Sequence, residues 1–234
     1  MRNPFLALTC FIMLSAGSAL LHSQAAPTSG LVGTVISQPV AAVDFSLTDQ
    51  KNETFRMSSA RGKIVVLSFI YTHCADICPF VTMKVKEAQS LLGPEIDKVA
   101  FVAVTTDPKR DSPAVIASYS REAGLYDSWR FLTGSVGEVR EVWAKYGVGV
   151  HEIREGEIDD SSGGGMAGMQ IDRSKGLTGS EIAVVHALIK KFAGGYEVTH
   201  SAPFWIIDAK GQVRVILDAD ALPSDIVTDI KALQ

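Results

Sequence analysis

The sequence lacks the patterns that mark several large functional classes. Basic residues are not in excess, because 22 Lys and Arg stand against 26 Asp and Glu, and this balance argues against a nucleic-acid partner. There is no glycine-rich phosphate-binding motif and no internal repeat. With 234 residues, 47% of them hydrophobic and 21% charged, the chain is expected to form one main domain with a substantial core.

Long apolar runs are confined to the amino terminus. The stretch Phe5 to Leu21 carries no charge, follows Arg2 and leads into small residues, a pattern typical of an export signal. Its 17 residues are also near the lower limit for a membrane-spanning helix, so a retained anchor stays an alternative. We assign residues 1–26 to a signal peptide or membrane anchor. The expected location is periplasmic or otherwise extracytoplasmic, at the inner membrane if the anchor is retained.

Cysteine is scarce, with three residues in the chain. If the amino-terminal signal is removed, Cys10 leaves with it, and Cys74 and Cys78 remain. Two cysteines in an oxidising compartment are typical of a structural disulfide, which stays one hypothesis. A loop this short gains little entropy from closure, however, and a position at the start of a helix favours a reactive pair.

The two cysteines lie where a predicted strand leads into a predicted helix. The β-branched run Ile64 to Ile70 indicates a buried central strand, and the apolar spacing from Pro79 to Leu92 indicates a helix. Proline is favoured at the first position of a helix, so we predict that Cys78 is the residue just before it. There the helix dipole favours an anion, and we therefore expect Cys78 to ionise more easily than a free thiol.

Strand and helix patterns alternate along the rest of the chain and predict a mixed α/β sheet with helices on both faces. An amino-terminal hairpin around Asp49 to Asn52 precedes the order β-α-β-α-β-α, and a β-β-α unit closes the chain. With a dithiol after the first core strand, this layout is that of a thioredoxin-like domain. We assign residues 27–39 to a tether and 40–234 to this domain. Residues 147–195 form an insertion, with a polar, glycine-rich first half and a helix at Ser180 to Phe192.

His200 precedes the predicted strand Phe204 to Ile207. In a thioredoxin-like sheet, the loop before that strand faces the dithiol, so the imidazole could reach both sulfurs. The alternative is an ordinary solvated or hydrogen-bonded loop histidine. Two thiolates and one imidazole form a soft donor set that suits Cu(I) and also Cu(II), while a structural zinc site would require a fourth ligand.

Three motifs together resemble the Sco/SenC family of copper proteins. They are Thr72 to Pro79 (THCADICP), Thr106 to Pro113 (TDPKRDSP), and His200-Ser201 ahead of Phe204 to Asp208. The resemblance implies a thioredoxin-like fold, copper bound by Cys74, Cys78 and His200, and a role in building the copper centre of cytochrome c oxidase. It also implies two kinds of partner, the copper-binding subunit of the oxidase and other copper chaperones, and an extracytoplasmic, often tethered, protein.

The sequence departs from the family pattern at three places. Ala75 stands where proline is usual, Thr199 precedes His200 where aspartate is common, and the 147–195 segment is long. We expect a looser loop between the thiols and an imidazole without an orienting carboxylate.

Other side chains are weaker candidates for the same chemistry. His73 could bind metal or assist the adjacent thiol, and an auxiliary copper site is conceivable at Met166, Met169, His151 and His186. The alternative in both cases is that these side chains are incidental and bind no metal. Asp107, Arg110 and Asp111 could fix the loop near the dithiol through hydrogen bonds and a salt bridge, or simply form a turn before a helix.

Two functions of different classes use the same thiols. A metallochaperone would bind copper through Cys74, Cys78 and His200 and pass it on by ligand exchange, without acting as an enzyme. A thiol-disulfide oxidoreductase would instead keep the copper-ligand cysteines of the oxidase reduced. His200 discriminates between them, because only copper binding needs the imidazole. A peroxidase is less well supported, since Tyr71 stands where such sites have threonine.

Overall fold

A central strand, Ile64–Ile70, organises the sheet, and all seven of its residues are buried. The computed structural model describes residues 30–153 and 172–234. The strands are β1 Thr34–Ala41, β2 Ser46–Asp49, β3 Thr54–Arg56, β4 Ile64–Ile70, β5 Val99–Thr105, β6 Arg130–Thr133, β7 Val150–Ile153, β8 Glu197–His200, β9 Phe204–Ile207 and β10 Gln212–Leu217. The helices are α1 Ile77–Leu92, α2 Pro113–Ala123, α3 Val136–Tyr146, α4 Gly179–Phe192 and α5 Pro223–Ala232, with short 3-10 helices at Met57–Ala60 and Gly93–Lys98.

Eight strands form one mixed sheet in the order β1-β10-β9-β4-β5-β6-β2-β3. Strands β4, β5 and β6 are parallel, and their neighbours on either side, β9 and β2, pair with them antiparallel. Strands β7 and β8 form a separate two-stranded antiparallel sheet. The predicted mixed sheet and the predicted amino-terminal hairpin, β2 with β3, are both confirmed.

Alternation along β4 divides the core between two layers, because successive side chains of a strand point to opposite faces. Val66 and Ile70 pack in the layer that also contains buried residues of α1, α2, α4 and α5. Leu67 and Phe69 pack in the layer that contains buried residues of α3. Helices therefore cover both faces, as predicted.

The helix termini follow the sequence signals. Ser112 caps α2 by accepting from the Val115 N–H, and Gly124 ends that helix in the left-handed region at φ 71°. Ser135 and Glu138 form the predicted capping box of α3. These caps fix where each helix begins, and hence where the loops between strands and helices lie.

Strand β1 lies partly in the 27–39 segment that the sequence indicates as a tether. It pairs antiparallel with β10, with an irregularity in register between Val35 and Val40, so the sheet begins at Thr34. The strand is an edge strand, and most of its residues are exposed. For this reason its sequence lacks the alternating apolar pattern from which a strand is inferred. Pro39 is tolerated in β1 because a residue of an edge strand can do without a backbone hydrogen bond.

The 147–195 segment adds two features to the fold. Its helix α4 is present as predicted and packs against α1 and α2. Strand β7, which lies inside the segment, and strand β8, which follows it, were not predicted. Residues 154–171, including Met166 and Met169, lie outside the described residues, as does the amino-terminal segment assigned to a signal or anchor. In the two described stretches, no helix has both the length and the apolar character needed to cross a membrane.

A substitution at Gly33 tests whether β1 belongs to the folded domain. A Cβ at Gly33 would lie 2.5 Å from Val215 Cγ1 and 2.8 Å from the Ile216 carbonyl oxygen, so Gly33→Ala must displace β1 or β10. We expect the free energy of unfolding in urea to fall by about 1–3 kcal/mol. In Gly137→Ala, the control in α3, the new Cβ meets nothing within 4 Å. The control should be as stable as the wild type or more stable, and equal stability of both variants would contradict the docking of β1.

Candidate metal and redox site

Both thiols of the dithiol segment, Tyr71 to Pro79, are buried and are not joined to each other. Cys74 is 4% exposed and Cys78 is fully buried. The prediction that Cys78 immediately precedes the helix is wrong, because α1 begins at Ile77 and Cys78 is its second residue. Pro79 is compatible with this register, since the first backbone N–H groups of a helix have no partner within it.

The two cysteines differ in acidity, and the prediction that Cys78 ionises more easily than a free thiol is wrong. Hydrogen bonding from Cys78, assisted by the backbone N–H groups of Cys78 and Asp76, lowers the pKa of Cys74 to about 7. Burial raises the pKa of Cys78 well above its ordinary value. A position in the first turn of α1 does not offset that desolvation, so the thiolate forms first on Cys74.

His200 ends β8 and meets the dithiol directly. Its Nε2 lies 3.6 Å from Cys78 Sγ, and its Nδ1 lies 2.9 Å from the Ser201 carbonyl oxygen. A carbonyl oxygen only accepts hydrogen bonds, so Nδ1 carries the proton and Nε2 presents its lone pair to the sulfur. Burial lowers the pKa of His200, which favours this neutral form. The ring is therefore prepared as a ligand without an aspartate at position 199.

Tyr71 is a site residue that the sequence analysis did not single out for this role. Its hydroxyl oxygen accepts a hydrogen bond from the Val198 N–H at 3.2 Å, two residues before His200. Its ring meets the His200 ring edge-to-face, with centroids 5.8 Å apart. The same hydroxyl helps to lower the pKa of Cys74. No local sequence signal predicts these contacts, since they join residues far apart in the chain.

Asp111 holds the dithiol segment onto the sheet. Its fully buried carboxylate accepts hydrogen bonds from the Thr72 N–H at 3.2 Å, the Thr72 hydroxyl at 2.5 Å and the Thr105 hydroxyl at 2.6 Å. The hypothesis that this acidic run fixes the loop is confirmed for Asp111. Asp107 and Arg110 form the expected salt bridge, and their side chains also reach beyond the loop.

The remaining candidates do not join the pair of sulfurs. The His73 Nδ1 lies 2.8 Å from the Thr72 hydroxyl and 3.7 Å from the Asp111 carboxylate, so its ring engages that network. His151 and His186 are exposed on β7 and α4. Among residues 30–153 and 172–234, no three His, Cys, Asp or Glu side chains stand as a ready-made metal site. The predicted ligands instead meet as two neighbouring pairs, Cys74 with Cys78 and Cys78 with His200.

Removing the Cys78 thiol tests the cause of the acidity of Cys74. In the reduced wild-type protein, we expect one thiolate to form with a pKa of about 7, followed by its ultraviolet absorbance during a pH titration. Cys78→Ala should raise that pKa, because a methyl group donates no hydrogen bond. Cys74→Ala should abolish the titration near neutral pH. An unchanged pKa in Cys78→Ala would show that another group stabilises the thiolate.

Replacing Asp111 tests how the dithiol segment is held. Asp111→Asn keeps the size of the side chain but turns an amide N–H₂ toward groups that are themselves donors. We expect a loss of about 2–3 kcal/mol in the free energy of unfolding of the reduced, metal-free protein. The control is Asp127→Asn, whose carboxylate is 84% exposed and pairs with Lys51, and a surface pair contributes about 1 kcal/mol or less. Equal stability of the two variants would contradict the role of Asp111.

Comparison with known proteins identifies the family of the chain. The family model described as SCO1/SenC matches residues 35–170. The SCO1 protein homolog of Bacillus subtilis is 30% identical over 193 residues, which cover 80% of this chain and 80% of the relative.

Solved structures share the fold. The copper-bound structure of Bradyrhizobium japonicum ScoI superposes with a TM-score of 0.61 at 22% identity, covering 83% of this chain and 100% of the other. BsSco, described as a member of the Sco family of cytochrome c oxidase assembly proteins with a disulfide switch, superposes with a TM-score of 0.57 at 20% identity, covering 86% of this chain and 96% of the other. The predicted thioredoxin-like architecture is confirmed, and the chain belongs to the SCO1/SenC family.

Proposed function

We propose that the protein is a copper metallochaperone, which binds Cu(I) or Cu(II) through Cys74, Cys78 and His200 and delivers it for assembly of the copper centre of cytochrome c oxidase. The observation that carries the proposal is the approach of His200 Nε2 to 3.6 Å from Cys78 Sγ, with Nδ1 of the same ring turned to the Ser201 carbonyl oxygen. A second sulfur, that of Cys74, neighbours Cys78, and hydrogen bonding from Cys78 lowers its pKa to about 7. Copper is here the cargo of the protein.

The chemistry of the three donors favours copper over other metals. Thiolates are soft ligands that select Cu(I), and an imidazole allows the same site to hold Cu(II). Zinc in a structural site takes four protein ligands, and carboxylate-preferring Mg²⁺ and Ca²⁺ have no fitting donors here. A three-donor site leaves room for a ligand from a recipient protein, which suits a metal that must be passed on.

The comparisons support the proposal. The related ScoI of Bradyrhizobium japonicum was solved with copper bound, and BsSco is described as belonging to a family of cytochrome c oxidase assembly proteins. We accordingly propose the copper-binding subunit of the oxidase as the recipient and other copper chaperones as donors. The uncharged amino-terminal segment supports an extracytoplasmic site of action, reached by export or by a retained anchor.

A second function is favoured by the unequal acidity of the two thiols. The Cys74 thiolate could attack a disulfide of the partner, and Cys78 could then resolve the mixed disulfide, leaving the partner as a dithiol and this pair as a disulfide. The low pKa of Cys74 and the high pKa of Cys78 fit these two roles. BsSco is itself described as having a disulfide switch.

Substitution of His200 separates the two functions. In the reduced wild-type protein we expect one bound Cu(II) with a thiolate charge-transfer absorption band. His200→Ala should abolish stable Cu(II) binding, because one of three donors is lost. Reduction of a model disulfide should stay near the wild-type rate, because the imidazole takes no part in thiol exchange. The control is His186→Ala, which removes an exposed histidine of α4.

Each possible result of these measurements leads to a different conclusion about function. Equal Cu(II) affinity in His200→Ala and the wild type would remove the proposed ligand set. Absence of copper binding by the wild type, with rapid disulfide reduction, would leave the oxidoreductase as the function. Loss of binding in His186→Ala would show that the copper lies elsewhere.

A further inference from the structure

The loop between β5 and α2, Thr106 to Ser112, contacts every segment that forms the site. We call it the anchor loop. Asp111 binds the dithiol segment through Thr72, and Lys109 forms a 2.6 Å ion pair with Glu152 of β7. Two further residues of the loop, Asp107 and Arg110, reach the chain just before β8, the strand that carries His200. The anchor loop thus connects the two halves of the site.

Arg110 makes four different contacts in this arrangement. Its Nε donates to Asp107, and its Nη1 donates to the Gly194 carbonyl oxygen at 2.8 Å. Its guanidinium carbon lies 3.7 Å from the centroid of the Tyr196 ring and 5.7 Å from that of Tyr71. Only a planar guanidinium can donate in two directions and stack on an aromatic face at once. The residue therefore joins the dithiol segment to the start of β8.

Asp107 strengthens the same connection from the other side. Its carboxylate is 2% exposed, accepts from Arg110 and also accepts from the Tyr196 hydroxyl at 2.7 Å. The chain can approach this pair because Gly195 has φ 77°, and a Cβ there would lie 2.9 Å from Arg110 Nη1. The segment Gly194 to Tyr196 is thus shaped to fit against Arg110.

Strand β8 needs such an anchor because it lies outside the main sheet. Within the described ranges its backbone ladder pairs with β7 alone, and Val150 of β7 is the partner of His200. A two-stranded sheet is marginally stable by itself, so contacts outside the ladder must fix its position. Those contacts are the packing of the buried Val198 side chain in the core, the hydrogen bond from the Val198 N–H to Tyr71, and the anchor-loop bonds before Glu197.

We infer that Arg110 is a positioning residue, which holds β8 against the dithiol segment so that His200 faces Cys78. This inference rests on the proposed function and deepens it. The contacts of Arg110 described above include none of the three proposed copper ligands. Arg110 acts on His200 indirectly, through Tyr196, Gly194 and Tyr71. Loss of the Arg110 side chain would displace β8. The His200 imidazole would then move, while both sulfurs would stay in place.

The test compares Arg110→Lys with the wild type in two independent measurements. Lysine keeps the positive charge but cannot bond Asp107 and Gly194 while stacking on Tyr196. We expect Cu(II) affinity to fall about 10-fold or more, as for other residues that orient a ligand, with a shift of the Cu(II)–thiolate band. Cu(I), which two thiolates suffice to hold, should lose less affinity. A purely destabilising effect would not move the band of the molecules that remain folded.

The second measurement needs no metal. Amide hydrogen exchange of Val198 and Thr199 should become about 10-fold faster in Arg110→Lys, while β4 keeps its protection. Tyr196→Phe, which removes only the hydroxyl bond to Asp107, should show the same changes to a smaller degree. The control is Arg130→Lys, whose guanidinium pairs with Asp49 at the far end of the parallel strands and should change neither measurement.

Unchanged exchange in β8, or an unchanged Cu(II) affinity and band, would overturn the role of Arg110. If the wild type bound no Cu(II), the proposed function would fail, and the exchange measurement would still decide whether Arg110 holds β8. The two failures are therefore distinguishable.

Discussion

The approach of His200 to Cys78 depends on one loop that binds two segments distant in sequence. The two residues are 122 positions apart, and among the residues that the structure describes, the strand that carries His200 has no partner in the main sheet. The buried carboxylate of Asp111 fixes the dithiol segment, and contacts around Arg110 fix the chain before β8. Buried carboxylates such as those of Asp111 and Asp107 are costly unless they are hydrogen-bonded, and here their partners include groups of the two segments that make the site.

The sequence predicts the central strands and the helices well, because these elements depend on local sequence signals. Ile64 to Ile70 is apolar throughout and became the central strand, and Ser135 with Glu138 formed the capping box that starts α3. The predictions failed where position depends on distant partners. Strand β1 is mostly exposed and is held by β10, and strands β7 and β8 are held by each other.

In the site, too, the features with a local sequence signal are predicted, and those that depend on distant residues are not. The residue types and spacing of Cys74, Cys78 and His200 point to one soft ligand set, but not to the order of acidity of the thiols. That order follows from the complete burial of Cys78, which outweighs the favourable helix terminus. Thr199 provides no carboxylate to orient His200, and the backbone carbonyl of Ser201 orients the ring instead. Neither Tyr71 nor Tyr196 carries any local signal of its role.

In the proposed copper site, two sulfurs and one imidazole nitrogen of this chain hold one copper ion. X-ray absorption spectroscopy at the copper edge of the loaded protein tests it most directly, because sulfur and imidazole neighbours scatter at different distances. We expect two sulfur neighbours together with the multiple-scattering pattern of a single imidazole in the Cu(II) form. A spectrum with only oxygen and nitrogen neighbours, or with sulfur and no imidazole, would contradict it.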